Sequence, residues 1–172
     1  MKAIKYIAAV ILFISATQLQ ARAMDVRHAI NQAVKNYLDL KNALAADDSK
    51  AANDAAKKFT DALKQVSPDK MSADQKQSWQ KYGEKLRFDG EHISVSNDIA
   101  HQREHFGSLS NNLYDLLKSF KDNDQALYKQ YCPMAKQSWV SESTSIKNPY
   151  LGKKMLDCGV TKETLKAAKP DK

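Results

Sequence analysis

The side chains best suited to metal binding or redox chemistry are sulfur-containing and lie near the C-terminus, in "QYCPMAKQSWVSESTSIKNPYLGKKMLDCG". Cys132 and Cys158 are the chain's two cysteines, and each has a methionine close by, Met134 and Met155 respectively. Thiolate and thioether sulfurs are soft donors, which suit Cu(I) or Ag(I) and not hard ions such as Ca²⁺ or Mg²⁺. The four residues are therefore a candidate soft-metal site.

The spacing within each Cys/Met pair supports this hypothesis. Pro133 fixes the backbone between Cys132 and Met134, so both sulfurs can project from a stiff turn. Met155 and Cys158 are three residues apart and share one face if the segment is helical. Two such pairs facing each other would supply up to four sulfur ligands.

A disulfide between Cys132 and Cys158 is the alternative. An even pair of cysteines in an exported chain is expected to oxidise. Such a bridge would close 26 residues, and the chain-entropy treatment values it at roughly 3 kcal/mol. On spacing alone, the disulfide is favoured over the metal site.

Two histidines provide a further candidate. His101 and His105 stand four residues apart in "IAHQREHFG", so they would share a helix face and could bind a metal through imidazole. Two solvated histidines beside an apolar stripe are the favoured alternative. Gln102 follows His101, which excludes the H-E-x-x-H motif of zinc proteases. His28 and His92 have no partner in sequence.

The N-terminus determines the redox compartment. Lys2 and Lys5 precede an apolar run from Ile7 to Ala16, and Ala21-Arg22-Ala23 follows. This pattern predicts a cleaved signal peptide over residues 1–23, a periplasmic or secreted protein, and no membrane span after cleavage. The formal net charge of +7 falls to +4 without Lys2, Lys5 and Arg22. The remaining charges are interleaved, so nucleic-acid binding is not indicated.

Four amphipathic stripes with short connections predict the elements that carry these residues. The first helix runs over residues 25–46, and the second ends at Ser67-Pro68. A capping box of Ser72 and Gln75 begins the third, which is expected to end or kink at Asp89-Gly90. The fourth runs from residue 99 to residue 120, with Ser96 or Asn97 as its cap.

The fold predicted is all-α. An up-down four-helix bundle covers residues 24–121, an irregular Cys/Met-containing loop segment over 122–160 packs on it, and a frayed tail covers 161–172. No Gly-rich phosphate loop, G-x-S-x-G motif or paired carboxylate indicates an enzyme. Arg103 is expected to pair with Glu104 or Asp98, or to hold the C-terminal segment.

The ordered pattern of the fourth helix and the C-terminal segment resembles a known family. It is a periplasmic domain family of unknown function, found alone behind signal peptides or fused to the C-terminus of periplasmic adaptors of copper/silver efflux systems. The similarity runs from the first helix to Gly159. The residues that carry it are Gln102, Arg103, Phe106, Leu109, Ser110, Tyr131, Cys132, Pro133, Met134, Trp139, Ile146, Asn148, Pro149, Tyr150, Gly152, Met155, Cys158 and Gly159.

The resemblance implies a helical bundle that handles soft metals, without an established catalytic activity. Its implied ligands are Cys132, Met134, Met155 and Cys158 alone. The expected function is a periplasmic Cu(I)- or Ag(I)-binding chaperone or buffer, with a component of a heavy-metal efflux system as its partner. The alternative is a helical interaction domain that binds no metal and is stapled by a Cys132–Cys158 disulfide.

Overall fold

The computed structural model describes residues 26–168, so the signal peptide predicted over residues 1–23 lies outside the described residues. Four helices form a bundle in which consecutive helices are neighbours. A short 3-10 turn, Pro68–Lys70, joins the second helix to the third. The helices are α1 (Val26–Ala45), α2 (Ser49–Lys64), α3 (Ala73–Val95) and α4 (Ile99–Phe120).

Side-chain caps fix where three of these helices begin. The carboxylate of Asp48 accepts the Ala51 amide at 2.9 Å and starts α2. Ser72 and Gln75 form the predicted capping box at the start of α3. At α4 the prediction of Ser96 or Asn97 was wrong, because the carboxylate of Asp98 is the cap and accepts the Ala100 amide at 2.8 Å.

Helix α3 continues through Asp89-Gly90 to Val95, which corrects the expectation of an end or kink there. Gly90 is buried where α3 crosses α2, and a Cβ at this position would lie 2.7 Å from Thr60 Cγ2. A glycine inside a helix costs about 1 kcal/mol relative to alanine. Here the close approach of the two helices requires it, so the glycine marks a packing contact and not a helix end.

The all-α prediction was wrong, because three strands follow the bundle. They are β1 (Leu127–Cys132), β2 (Gln137–Ser141) and β3 (Val160–Leu165), and they form an antiparallel sheet in the order β2-β1-β3. The segment expected to be an irregular loop thus contains β1 and β2, and the tail expected to fray contributes β3. The strands show no clear alternation of buried and exposed residues, and the pairing of β1 with β3 shifts in register between Lys129 and Gln130.

The sheet packs on the bundle through β2. Trp139 and Val140 are buried there, and the Val140 amide donates to the Tyr37 hydroxyl at 3.0 Å. That hydroxyl also shares a hydrogen bond of 2.8 Å with Ser110 Oγ on α4. The contacts fix the sheet against both α1 and α4.

Within residues 26–168, none of the helices combines the length and apolar character that a membrane span requires.

Candidate metal centre

The two cysteines meet at one end of the sheet. Cys132 is the last residue of β1 and is fully buried, whereas Cys158 lies two residues before β3 and is half-buried. In the β1–β3 ladder Tyr131 lies opposite Val160, so the neighbouring cysteines are brought side by side. Their Sγ atoms are 2.9 Å apart, and both thiols are free.

The two methionines lie in the segments that carry the cysteines. Met134 occupies the turn between β1 and β2 and is 63% exposed. The next amide, that of Ala135, donates to Cys132 Sγ at 3.4 Å. Met155 is half-buried, and its carbonyl accepts the Cys158 amide at 3.2 Å. The structure thus brings the two thiols into direct contact, while Met134 and Met155 are two and three residues from them in the sequence.

The two thiols differ in acidity. Burial opposes ionisation of Cys132, but hydrogen bonds from the Cys158 thiol, from backbone amides of the turn and from the Asn148 side chain lower its pKa below the usual value. The hydrogen bond to Cys132 and burial raise the pKa of Cys158. The two thiols therefore titrate as a coupled pair, and Cys132 is the first to become a thiolate.

Asn148 fixes the backbone beside Cys158. This side chain is fully buried, and its amide nitrogen donates to the Cys158 carbonyl at 2.7 Å. Its amide oxygen accepts the backbone N–H groups of Tyr150, at 2.8 Å, and Leu151, at 3.0 Å. One buried side chain thus couples the Asn-Pro-Tyr turn to the second cysteine.

Trp139 and Gly159 pack closely together next to the second cysteine. The Trp139 side chain is 1% exposed, and a Cβ at Gly159 would lie 2.8 Å from its ring. The Tyr150 hydroxyl donates to the Ser138 carbonyl at 2.6 Å and ties the Asn-Pro-Tyr turn to β2. The residue after Cys158 must therefore be small if the chain is to pass over the tryptophan.

Arg103 holds this segment on the bundle, as one of the sequence interpretations proposed. Its Nε donates to the Pro149 carbonyl at 2.7 Å, and its Nη2 donates to the Leu44 carbonyl at 2.8 Å. The same nitrogen lies 2.5 Å from the Asp47 carboxylate. Gly152 has a φ of +56° and lies against this ion pair, so a side chain there would be both strained and obstructed.

The sequence matches a family described as "Protein of unknown function (DUF3347)" over residues 33–125. This match spans more than half of the chain. The chain belongs to this family. Comparisons with curated proteins and with solved structures found no match. In this DUF3347 protein the match covers most of the helical bundle and ends before β1, so Cys132 and Cys158 lie beyond it.

The separation of the two thiols is too short for both to bind one ion without a small rearrangement. With metal–sulfur bonds of about 2.3 Å, sulfurs 2.9 Å apart would subtend only about 80° at the ion. Wider angles need a separation roughly 1 Å larger, which a cysteine side chain would have to reach by rotation. The separation is also short enough for oxidation, since a disulfide bond is about 2.05 Å long.

The histidine pair lies on another surface. His101 and His105 share a face of α4, with ring centroids 4.6 Å apart. His92 of α3 joins them, with its ring 4.5 Å from that of His105. The sequence prediction missed His92 because it ended or kinked the third helix at Gly90. His28 is exposed on α1.

Proposed function

We propose that this DUF3347 protein binds a soft metal ion, Cu(I) or Ag(I), at Cys132 and Cys158. Met134 and Met155 would supply thioether ligands. One observation carries the proposal: two thiols that are 26 residues apart in the chain meet at 2.9 Å. The buried Asn148 side chain, which donates to the Cys158 carbonyl at 2.7 Å, helps to hold them there.

Three features of the thiol pair favour metal binding. The lowered pKa of Cys132 favours the thiolate, which is the form that binds metal. Cys158 is half-buried, so an ion can reach the pair from solvent. Met134 exposes most of its side chain beside the pair, and a thioether remains a ligand in an oxidising compartment. An open site with neutral thioether ligands suits an ion that must be passed on, so the role is carrier or buffer.

The second candidate is a disulfide-stapled interaction domain that binds no metal. The same distance of 2.9 Å favours it, since thiols so placed need little movement to oxidise. The two candidates are the two redox states of one pair of residues. Only the reduced state offers thiolates to an ion.

The cellular setting is also a proposal. The signal-like N-terminus supports a periplasmic or secreted protein, and the resemblance to domains of copper/silver efflux adaptors supports a component of a heavy-metal efflux system as partner. The role proposed is heavy-metal handling by binding, with no catalytic step. The adaptor's other domains have no counterpart in the four helices and three strands described.

The test is uptake of Cu(I) by residues 24–172, with the thiols reduced, in competition with a Cu(I) chelator. We expect about one ion per chain, bound by the sulfur ligands that Cu(I) prefers. Cys132→Ser and Cys158→Ser should each weaken binding strongly, and Met134→Leu and Met155→Leu to a smaller degree. Met71→Leu is the matched control, since Met71 is buried in the helical core.

Two outcomes would contradict the proposal. One is a doubly substituted Cys132→Ser, Cys158→Ser protein that binds Cu(I) as tightly as the parent. The other is a protein that takes up no Cu(I) after full reduction. In the second case, an intact mass lower by about two hydrogens in protein taken from the periplasm would favour the disulfide-stapled domain.

A further inference from the structure

Three histidines gather at the loop end of the α3–α4 hairpin. His92 lies in the last turn of α3, and His101 and His105 lie in the first two turns of α4. One ring nitrogen from each of the three can be chosen so that all lie within 4.8 Å of one another. All three side chains are half-buried, so they are accessible to an ion and still restrained by their neighbours.

The hairpin itself creates this cluster. Only three residues, numbers 96–98, separate α3 from α4. The last turn of one helix therefore faces the first turns of the other. Because His101 and His105 are four residues apart, they present their rings on one face, and His92 closes the group from the opposite helix.

A buried carboxylate orients the central histidine. His105 Nδ1 lies 3.0 Å from Asp89 Oδ1, and the Asp89 side chain is only 6% exposed. When Nδ1 of His105 carries the proton and donates it in a hydrogen bond to Asp89, Nε2 has a free lone pair that can bind a metal. Metal-binding histidines commonly donate their other ring N–H to a carboxylate in this way. The close packing of Gly90 on Thr60 fixes the backbone next to Asp89.

We propose that His92, His101 and His105 form a binding site for a divalent transition-metal ion of borderline softness, such as Zn²⁺ or Cu²⁺. Imidazole nitrogen is a preferred ligand of both ions, and three histidines leave a fourth position open. With metal–nitrogen bonds of about 2.0–2.1 Å, ligand atoms lie at most about 4.2 Å apart. The largest separation of 4.8 Å is slightly above that limit, so ion binding requires small side-chain rotations of these half-buried rings.

An aromatic side chain covers one edge of the cluster. The Phe88 ring centroid is 4.3 Å from that of His92 and 6.0 Å from that of His105. Phe88 is nevertheless 55% exposed, so its position on the histidines is not explained by burial in the core. An apolar neighbour partly excludes water and strengthens ligand–ion electrostatics.

The histidine site is separate from the thiol pair. Gly107 faces β2, where a Cβ added to this glycine would lie 2.8 Å from Gln137 Oε1. His105 is two residues away, or about 200° around the helix, and faces α3. The two groups therefore lie on different sides of α4. They differ in ligand chemistry, so the histidine site binds its ion in either redox state of the cysteines.

The experiment uses residues 24–172 with Cys132→Ser and Cys158→Ser, so that no thiol binds the probe or reduces Cu²⁺. Zn²⁺ binding is measured by calorimetry, and Cu²⁺ binding by electron paramagnetic resonance, which detects nitrogen ligands. We expect about one ion per chain. His92→Gln, His101→Gln and His105→Gln should each weaken Zn²⁺ binding at least about 10-fold. The matched control His28→Gln should leave it unchanged, because His28 is exposed on α1.

Asp89→Asn tests the positioning role of the buried carboxylate. We expect Zn²⁺ affinity to fall roughly 10–100-fold, with a smaller change in the melting of the metal-free protein. An unchanged affinity in this variant would overturn the role assigned to Asp89. The site itself is refuted by a thiol-free protein that takes up no Zn²⁺, or by His28→Gln losing as much affinity as His92→Gln. Absence of Cu(I) uptake by the reduced parent bears on the thiol pair alone.

Discussion

The side-chain amide of Asn148 donates a hydrogen bond of 2.7 Å to the carbonyl oxygen of Cys158. Asn148 is fully buried and makes two further bonds to the backbone of its own turn. We therefore expect Asn148→Ala to lower the free energy of unfolding by about 1–3 kcal/mol, because buried backbone groups lose their partners. It should also weaken Cu(I) binding, since Cys158 would no longer be held beside Cys132.

Denaturant unfolding of the reduced protein and chelator competition for Cu(I) measure the two effects. Asn111→Ala is the control, since Asn111 is exposed on α4 and alanine favours a helix. It should leave both quantities near those of the parent. If Asn148→Ala binds Cu(I) as tightly as the parent, the assigned role of Asn148 in positioning Cys158 is wrong.

Even a conservative replacement of Arg103 is predicted to destabilise the protein. Its guanidinium reaches the Pro149 carbonyl, the Leu44 carbonyl and the Asp47 carboxylate at once. A lysine ammonium cannot reproduce that forked geometry. We expect Arg103→Lys to lower the free energy of unfolding by about 1–3 kcal/mol, while the helical circular dichroism signal is retained.

The control for Arg103→Lys is Arg87→Lys. Arg87 pairs with Glu84 of its own helix, in a contact open to solvent. Surface pairs of this kind contribute about 0–1 kcal/mol, so Arg87→Lys should change stability little. Equal losses in the two variants would show that Arg103 does not hold the C-terminal segment on the bundle.

The helices could be predicted from the sequence because their signals are local. Apolar residues recur every three or four positions, and caps such as Ser72 with Gln75 lie within one turn of the residues they serve. The exception was the end of the third helix, because a glycine such as Gly90 usually indicates a helix end when only neighbouring residues are considered. Its actual partner, Thr60, is thirty residues away, so the reason for this glycine becomes visible only once α2 and α3 pack.

The strands could not be predicted because their signals are not local. In β1 the buried residues are Leu127, Gln130 and Cys132, a spacing that does not follow the two-residue alternation of a half-buried strand. In β3 nearly every residue is exposed, so hydrophobicity does not mark it as a strand. Both depend on pairing between distant parts of the chain, and the same pairing brings Cys132 to Cys158.

The histidine cluster could have been found from the sequence by extending the third helix through Gly90. A hairpin that turns at residues 96–98 places the end of α3 against the start of α4. His92 then faces His101 and His105. The contact of Asp89 with His105 depends on side-chain orientation and burial, which the sequence pattern does not specify.

Glu142 is predicted to make stability depend on pH in the acid range. Its carboxylate lies 2.7 Å from Lys41 Nζ, and the Lys41 side chain is only 1% exposed. Burial raises the pKa of Glu142, but the hydrogen bond and charge of Lys41, together with hydrogen bonds from its own backbone and from Asn42, lower the pKa overall. The stabilisation from this pair is therefore fully present at pH values above the ordinary carboxyl pKa of about 4.3. It is lost as the pH falls through the lower pKa that Glu142 has in the folded protein.

Glu142→Gln should lower the free energy of unfolding at neutral pH by about 1–3 kcal/mol, because the buried Lys41 charge loses its partner. The difference from the parent should shrink below a pH of about 4. Denaturant unfolding at a series of pH values measures it. Asp54→Asn, which removes an exposed pair with Lys50, should show little effect at any pH. A difference that is constant across the acid range would rule out titration of Glu142 as its cause.

The two thiols are predicted to titrate as a coupled pair. Each cysteine changes the pKa of the other, and the two changes have opposite signs. Cys158 donates to Cys132 and helps to lower the pKa of Cys132, while the same bond raises the pKa of Cys158. In reduced protein, Cys158→Ala should therefore raise the pKa of Cys132, and Cys132→Ala should lower the pKa of Cys158. Ultraviolet thiolate absorbance against pH measures both, with Met71→Leu as the control. If Cys158→Ala leaves the pKa of Cys132 unchanged, the hydrogen bond between the two thiols does not persist in solution.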